Sequence, residues 1–182
     1  MDNVSFEVAQ GEIHCLAGEN GSGKSTLIKI ITGVYEPEVG VEMSYFGKQL
    51  FSVSPNESRT LGIAIIWQDL ALFPEMSVAE NIAFDSLLGN RPRLINKKKL
   101  TEIASDTLSR LGVELDLNSS LKNLPIAQRQ IVAIARSLVS DAKVIFMDEP
   151  TSSLTQSETD NLLSVVRKLS ETGVSIVFVS HR

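Results

Sequence analysis

Cysteine is almost absent from this 182-residue chain, Cys15 being the single example. One thiol excludes an internal disulfide framework and any metal site built from several cysteines. Long apolar runs are missing too. The longest, Leu61 to Trp67, is seven residues even with Gly62 inside it, against the roughly 20 that a membrane-spanning helix needs. Met1-Asp2-Asn3 leads into no basic and then apolar stretch, so no secretory signal is expected. There is no excess of positive charge: 17 Lys and Arg stand against 22 Asp and Glu, a net charge of −5. Nucleic acid is therefore not expected as a partner, nor anionic lipid as the main one. Repeats and low-complexity segments are lacking as well. What remains, 43% hydrophobic and 21% charged residues, excludes a wholly disordered chain, and the length favours one domain with a proper core.

Short apolar strands alternate with amphipathic helices, which predicts an α/β fold with a mostly parallel sheet. Val4, Phe6 and Val8 alternate with polar residues as in a half-buried strand, and Ile13 to Ala17 is a strand ending at a glycine-rich loop. Cys15 is expected to pack there as a small hydrophobe, and His14 is read as structural. A helix is predicted from Ser25 to about Thr32, stopped by Gly33, and Val41 to Leu50 reads as a hairpin broken by Gly47. Capping boxes at Ser54-Pro55-Asn56-Glu57 and Ser77-Val78-Ala79-Glu80 open helices toward Leu61 and Leu88. Strands are predicted at Ile63 to Trp67, Val144 to Met147 and Val174 to Val179. Helices are predicted at Leu100 to Leu111, Leu124 to Val139 and Thr155 to Ser170. Residues Asp69 to Ser140 are mainly helical, which suggests a helical insertion into an α/β core.

Gly18-Glu19-Asn20-Gly21-Ser22-Gly23-Lys24-Ser25-Thr26 is a complete G-x-x-x-x-G-K-S run between a strand and a helix. Such glycines let several N–H groups point at one anion, and the helix adds its positive end. Lys24 would neutralise β- and γ-phosphate oxygens and the Ser25 hydroxyl would coordinate Mg²⁺. Val144-Ile145-Phe146-Met147-Asp148-Glu149 is an apolar strand ending in two carboxylates. Asp148 would support the Mg²⁺, and Glu149 would orient or deprotonate an attacking water. Read alone, this strand end is equally a solvated one. Gln68 and His181, each an ordinary surface residue if taken singly, also sit just past predicted strands. If those strands are parallel, all these groups emerge at one sheet edge, where ligands bind in open α/β folds.

The ordered set resembles the nucleotide-binding domain of an ATP-binding cassette (ABC) protein: the phosphate loop, Gln68, Leu124–Gln128 with Arg129-Gln130 after it, Asp148-Glu149 and His181. The resemblance implies a P-loop NTPase fold, a RecA-like sheet with a helical subdomain and an antiparallel β part near the N-terminus. It also implies roles. Gln68 would contact Mg²⁺ or the attacking water and connect the site to the helical subdomain, and His181 would hold the γ-phosphate. Leu124, Pro125, Ile126, Ala127 and Gln128 would act in trans on ATP held by a second ATPase domain, in the same chain or in a homodimer. Ser152-Ser153-Leu154-Thr155 match the loop linking the two sites, although many members carry aspartate where Thr155 stands. Leu72 and Phe73 lie where the family meets a membrane subunit, with core packing as the alternative.

The family's Leu-Ser-Gly-Gly-Gln reads here Leu124-Pro125-Ile126-Ala127-Gln128. Pro125 brings neither a hydroxyl nor an N–H, and Ile126 and Ala127 lack glycine's freedom, so this half of a composite site is expected to be weak. The relaxed signature, the run Pro150 to Thr155 and Glu19-Asn20-Gly21 resemble the carbohydrate-uptake branch. The implied function is an ATP-hydrolysing subunit of a sugar importer on the cytoplasmic face of the cell membrane. Its implied partners are transmembrane permease subunits and, indirectly, a periplasmic or extracellular solute-binding protein. A soluble ABC ATPase of DNA repair or translation, a small-molecule phosphotransferase and a nucleotide-binding regulatory module stay open as alternatives. The family's adenine-stacking aromatic would lie upstream of Met1, and the chain stops one residue after His181. Residues 1–182 are thus expected to be one ABC ATPase domain cut at both ends.

Overall fold

The computed structural model describes residues 4–19, 21–89 and 96–180, with only the backbone described at 87–89. In chain order the elements are β1 (Ile13–Ala17), α1 (Lys24–Ile31), β2 (Met43–Tyr45), β3 (Lys48–Leu50), α2 (Pro55–Thr60), β4 (Ile63–Ile66), α3 (Val78–Ile82), α4 (Phe84–Gly89), α5 (Lys97–Leu111), α6 (Ile126–Val139), β5 (Val144–Asp148), α7 (Gln156–Glu171) and β6 (Ser175–Ser180). Four strands form a parallel sheet in the order β1-β6-β5-β4, and β2 and β3 form a separate antiparallel pair.

The sheet is covered on both faces, as its unbroken apolar strands require. Ala64 and Ile66, Ile145 and Met147, and Ile176 and Phe178 face the core shared with α3, α5, α6 and α7. Their neighbours Ile63 and Ile65, Phe146, and Val177 and Val179 face a smaller core with Ile28 of α1. This is the two-residue period of a strand, one parity per face. The described elements between β4 and β5 are all helical. Their buried side chains merge with one face of the sheet rather than forming a core of their own.

Local signals set most boundaries. Ser54 and Ser77 each accept from the N–H three residues on while Glu57 and Glu80 bond back, and Thr155 with Glu158 makes a third such box. Gly112 ends α5 in the left-handed region at φ 66°. Between β2 and β3, Phe46 and Gly47 both have positive φ, 47° and 75°, the two-residue turn whose twist suits a hairpin. α6 starts at Ile126 rather than Leu124, because the residue before Pro125 is held extended at φ −84°, ψ 142°.

Three expectations are corrected. Val4–Val8 is not a strand: β1 pairs only with β6 among the described strands, so the alternating segment has no ladder to join. Phe6 and Val8 pack on the smaller core without one. Cys15 is exposed, and so are Ile13 and Ala17 on the same side of β1, an edge strand of the sheet. The single helix expected from Val78 to Leu88 breaks at Ala83. The Ser86 N–H (3.0 Å) and hydroxyl (2.6 Å) both take the Ala83 carbonyl, which a continuous helix would offer to residue 87.

Candidate functional site

The phosphate-loop run bridges β1 and α1. Gly21 and Gly23 have φ 85° and 97°, which residues with a side chain rarely adopt. Gly23 is the N-cap of α1 and offers no side-chain acceptor, so the first N–H groups of the helix are left for an external anion. Lys24 folds back over the loop, its Nζ donating to the Gly18 carbonyl (2.5 Å), the Glu19 carbonyl (2.9 Å) and Ser22 Oγ (3.4 Å). Ser25 and Thr26 are solvent-exposed, and Asn20 lies outside the described residues.

β6 joins this loop to the carboxylates. On one side the Gly18 N–H donates to the Ser180 carbonyl (3.3 Å), and on the other the Glu149 N–H donates to the Val179 carbonyl (3.0 Å). β1 and β5 thus flank one strand, about 10 Å apart, with their C-terminal ends level. Asp148 is half-buried. Burial first, and then the Glu149 carboxylate, push its pKa up, while the Lys24 ammonium pulls it down. Glu149 sits at φ 49°, a left-handed conformation uncommon for a residue with a side chain. Ile66, which pairs with Met147, is the last residue of β4, so Gln68 lies in the bend just past the C-terminal end of that strand, exposed to solvent. His181 follows Ser180 directly and lies outside the described residues. Lys24, Asp148, Glu149 and Gln68 therefore share the C-terminal rim.

Leu124–Gln128 lies elsewhere. Leu124 is buried, Pro125 is exposed and caps α6 without a side-chain bond, and the next three residues are half-buried. Pro125, Ala127 and Gln128 line a cleft of about 340 Å³ with Glu158, Asn161 and Lys168 of α7, and no phosphate-loop residue borders it. Within one chain this segment is not gathered with the loop.

Residues 1–152 match the family model for ABC transporters, which is most of the chain. The chain belongs to the ABC transporter family. It is 48% identical over 185 residues to a putative ribose/galactose/methyl galactoside import ATP-binding protein of Agrobacterium fabrum, covering 100% of this chain and 36% of that one. To a ribose import ATP-binding protein of Bacillus licheniformis it is 42% identical over 182 residues, covering 100% and 37%. A crystal structure of a nucleotide-free ATP-binding cassette from an ABC transporter superposes with TM-score 0.84 at 27% identity, covering 100% of this chain and 75% of the other. The P-loop ABC ATPase fold follows. The chain spans little more than a third of the length of these import proteins.

The fold also places Asn81, which sequence reasoning passed over, and Leu72, Phe73 and Arg129, which it singled out. Asn81 is fully buried. Its side chain accepts from the Phe73 N–H (2.8 Å) and donates to the Phe73 and Ser77 carbonyls (3.0 Å each), pinning the loop that follows Gln68. Phe73 leans on Phe84, ring centroids 4.5 Å apart, with the Arg136 guanidinium over both rings, while Leu72 is half-buried against the main core. Arg129 closes the turn before α6 by donating to the Leu124 (2.8 Å) and Lys122 (2.9 Å) carbonyls. Asn81 lies in a capped helix and so looks like a helix residue, and nothing in its spacing marks it as a clamp.

The crowding of Asp148 has a testable consequence. Because folding raises its pKa, the group opposes folding once ionised: its penalty grows as pH rises through the folded pKa and is fully present at neutral pH. Asp148→Asn in the nucleotide-free protein is expected to raise the melting midpoint at pH 7 by up to about 3 °C, a small gain because much of the group is screened by solvent. At a pH well below the carboxylate range the difference should vanish. A lower midpoint at pH 7 would contradict this.

Proposed function

We propose that this chain is the nucleotide-binding and hydrolysing domain of a subunit that energises a sugar importer. The observation that carries the reading is the β6 link, which holds an anion-binding loop with its lysine and a carboxylate pair at one rim. The loop suits the phosphates of ATP. The Lys24 ammonium need only exchange the Gly18 and Glu19 carbonyls for phosphate oxygens, and the uncapped N–H groups of α1 supply the rest. The residues also fit Mg²⁺. No cluster of three or more acidic, histidine or cysteine ligands exists among the described residues, which suits an ion held mainly by phosphate and water with a few protein oxygens. Ser25, Asp148 and Gln68 would hold it. When bound, Mg²⁺ neutralises charge on the phosphates. Glu149 takes a proton from the attacking water, and His181 and Gln68 help to position that water.

In this reading Leu124–Gln128 closes over ATP held by a second such domain, in the same polypeptide or in a second copy, and the two sit head to tail. The cleft position of Pro125, Ala127 and Gln128, away from their own loop, supports it. No described helix is long and apolar enough to cross a membrane; this reading pairs the domain with transmembrane permease subunits on the cytoplasmic face of the cell membrane. A sugar as solute rests on the likeness to the two import proteins. The test is MgATP hydrolysis by the full-length protein with its permease in liposomes. Stimulation by a sugar-loaded binding protein is expected, and absence of hydrolysis would refute the reading.

The altered signature gives a sharper check. Ser, Gly and Gly at positions 125–127 in the full-length protein restore a hydroxyl, an N–H donor and backbone freedom at the start of α6. Turnover is expected to rise about tenfold to a hundredfold, the worth of one charge-assisted hydrogen bond of about 1.5–3 kcal/mol. An unchanged rate would show that the segment does not limit hydrolysis.

A further inference from the structure

Gln130 is a polar residue in an apolar setting. It lies on the buried side of α6, 6% exposed, beside Ile131, Val132 and Ile134. Its Nε2 donates to the Pro150 carbonyl. A carbonyl can only accept, so the orientation of the amide is fixed and its Oε1 faces the other way. There Oε1 is buried with no hydrogen-bond partner, the one such side-chain atom among the described residues. Leaving a buried acceptor unmet is costly; methionine would fill the same volume but would leave the Pro150 carbonyl unmet instead of Oε1. Packing does not explain the glutamine; its bond to Pro150 does.

Pro150 follows Glu149, and the backbone around Glu149 is tied from several directions. The Glu149 N–H is held by Val179 of β6 (3.0 Å), and its carbonyl accepts from the Ser152 N–H (3.2 Å) and hydroxyl (3.0 Å). The next carbonyl, that of Pro150, is held by Gln130. Together these bonds maintain the left-handed φ of 49° at Glu149, a conformation that persists only where its surroundings over-determine it. β6 and the turn adjoin Glu149 at the end of the sheet, whereas the Gln130 bond comes from a different element, α6. Gln130 is two residues beyond Gln128, about 3 Å along the helix axis. A shift of the N-terminus of α6 is therefore carried directly to the peptide that orients the Glu149 side chain.

We infer that Gln130 is a positioning residue for Glu149: its bond to Pro150 couples the placement of the α6 N-terminus to the aim of the carboxylate. The inference rests on the hydrolase reading above. Gln130 touches neither the phosphate loop nor the reacting atoms, so it acts on turnover and not on nucleotide affinity.

The test uses the full-length protein, with wild-type MgATP hydrolysis measured first. Gln130→Met keeps the volume and removes the donor. It exchanges the unmet Oε1 for an unmet Pro150 carbonyl, so the melting midpoint is expected to change little. Turnover should fall by about tenfold or more, as expected when a reacting group is misplaced by a fraction of an ångström, with KM for ATP and nucleotide affinity unchanged. Gln130→Glu gives a second readout. Its carboxyl, with a pKa raised by burial, donates to Pro150 when protonated and repels that carbonyl when ionised. Its turnover relative to wild type should therefore rise several-fold between about pH 8 and about pH 6, a dependence that loss of packing would not produce. Gln130→Met turnover within twofold of wild type, a changed KM with unchanged turnover, or a flat Gln130→Glu ratio would each overturn the inference. If Gln130→Met does not fold, the Gln130→Glu ratio decides. A wild-type protein without hydrolysis would defeat the hydrolase reading itself, and this inference with it.

Discussion

Replacing Glu149 with glutamine is expected to lower MgATP turnover of the full-length protein by about 10²–10³-fold, the usual contribution of a general base, while ATP still binds. The amide keeps the size and hydrogen-bonding reach of the carboxylate but accepts no proton at neutral pH. The backbone that aims the side chain is untouched, because its ties to Val179, Ser152 and Gln130 are main-chain bonds of residues 149 and 150. One negative charge is removed beside Asp148, whose pKa is raised in part by that charge, so Asp148 should ionise more readily. A triphosphate also meets less repulsion. The variant should therefore retain ATP at least as tightly as wild type in equilibrium binding and show almost no phosphate release. Turnover within about tenfold of wild type would remove Glu149 from the role of base.

Lys24→Ala is expected to act on the preceding step, weakening ATP binding to the full-length protein by about 100-fold. The ammonium bridges two carbonyls of its own loop, Gly18 and Glu19. Two charge-assisted bonds to phosphate oxygens, each worth about 1.5–3 kcal/mol against the backbone bonds given up, account for a loss of that order. Lys24→Arg should fail nearly as badly. The loop closes on a single point donor, with Ser22 Oγ only 3.4 Å from Nζ, and a planar guanidinium needs more room. Titration with a fluorescent ATP analogue measures both variants, and a dissociation constant within about threefold of wild type for Lys24→Ala would count against the phosphate role.

The two experiments separate the halves of the site, and the comparison with Gln130 separates aim from chemistry. Lys24 should change affinity and Glu149 turnover at constant affinity. Gln130→Met should change turnover partially, and Gln130→Glu should do so with a pH dependence that Glu149→Gln lacks.

Much of this molecule is readable from the order of its residues. The phosphate-loop run, the Ser54 and Ser77 capping boxes, the Gly33 and Gly112 stops and the apolar runs into Asp148 and Ser180 all act within a few residues, through side chains that satisfy or free nearby backbone groups. Such short-range chemistry leaves a legible trace, and it led to most of the elements, to Lys24 at the start of α1 and to Asp148 and Glu149 at the end of β5. It was silent or misleading wherever the outcome depended on a distant partner. Val4–Val8 alternates like a strand but finds no ladder. Cys15 looks like a core residue but lies exposed on the edge strand β1. Gln130 and Asn81 look like ordinary helix residues, yet they clamp Pro150 and the Phe73–Ser77 turn. The side-by-side placement of Gly18 and Glu149 on β6 joins segments about 130 residues apart in the chain and exists only because three parallel strands pair in one register. Backbone propensity and capping are properties of a local stretch. Pairing, coverage and the aim of a carboxylate belong to the assembled fold, because each needs a donor, an acceptor or an apolar surface supplied from elsewhere in the chain.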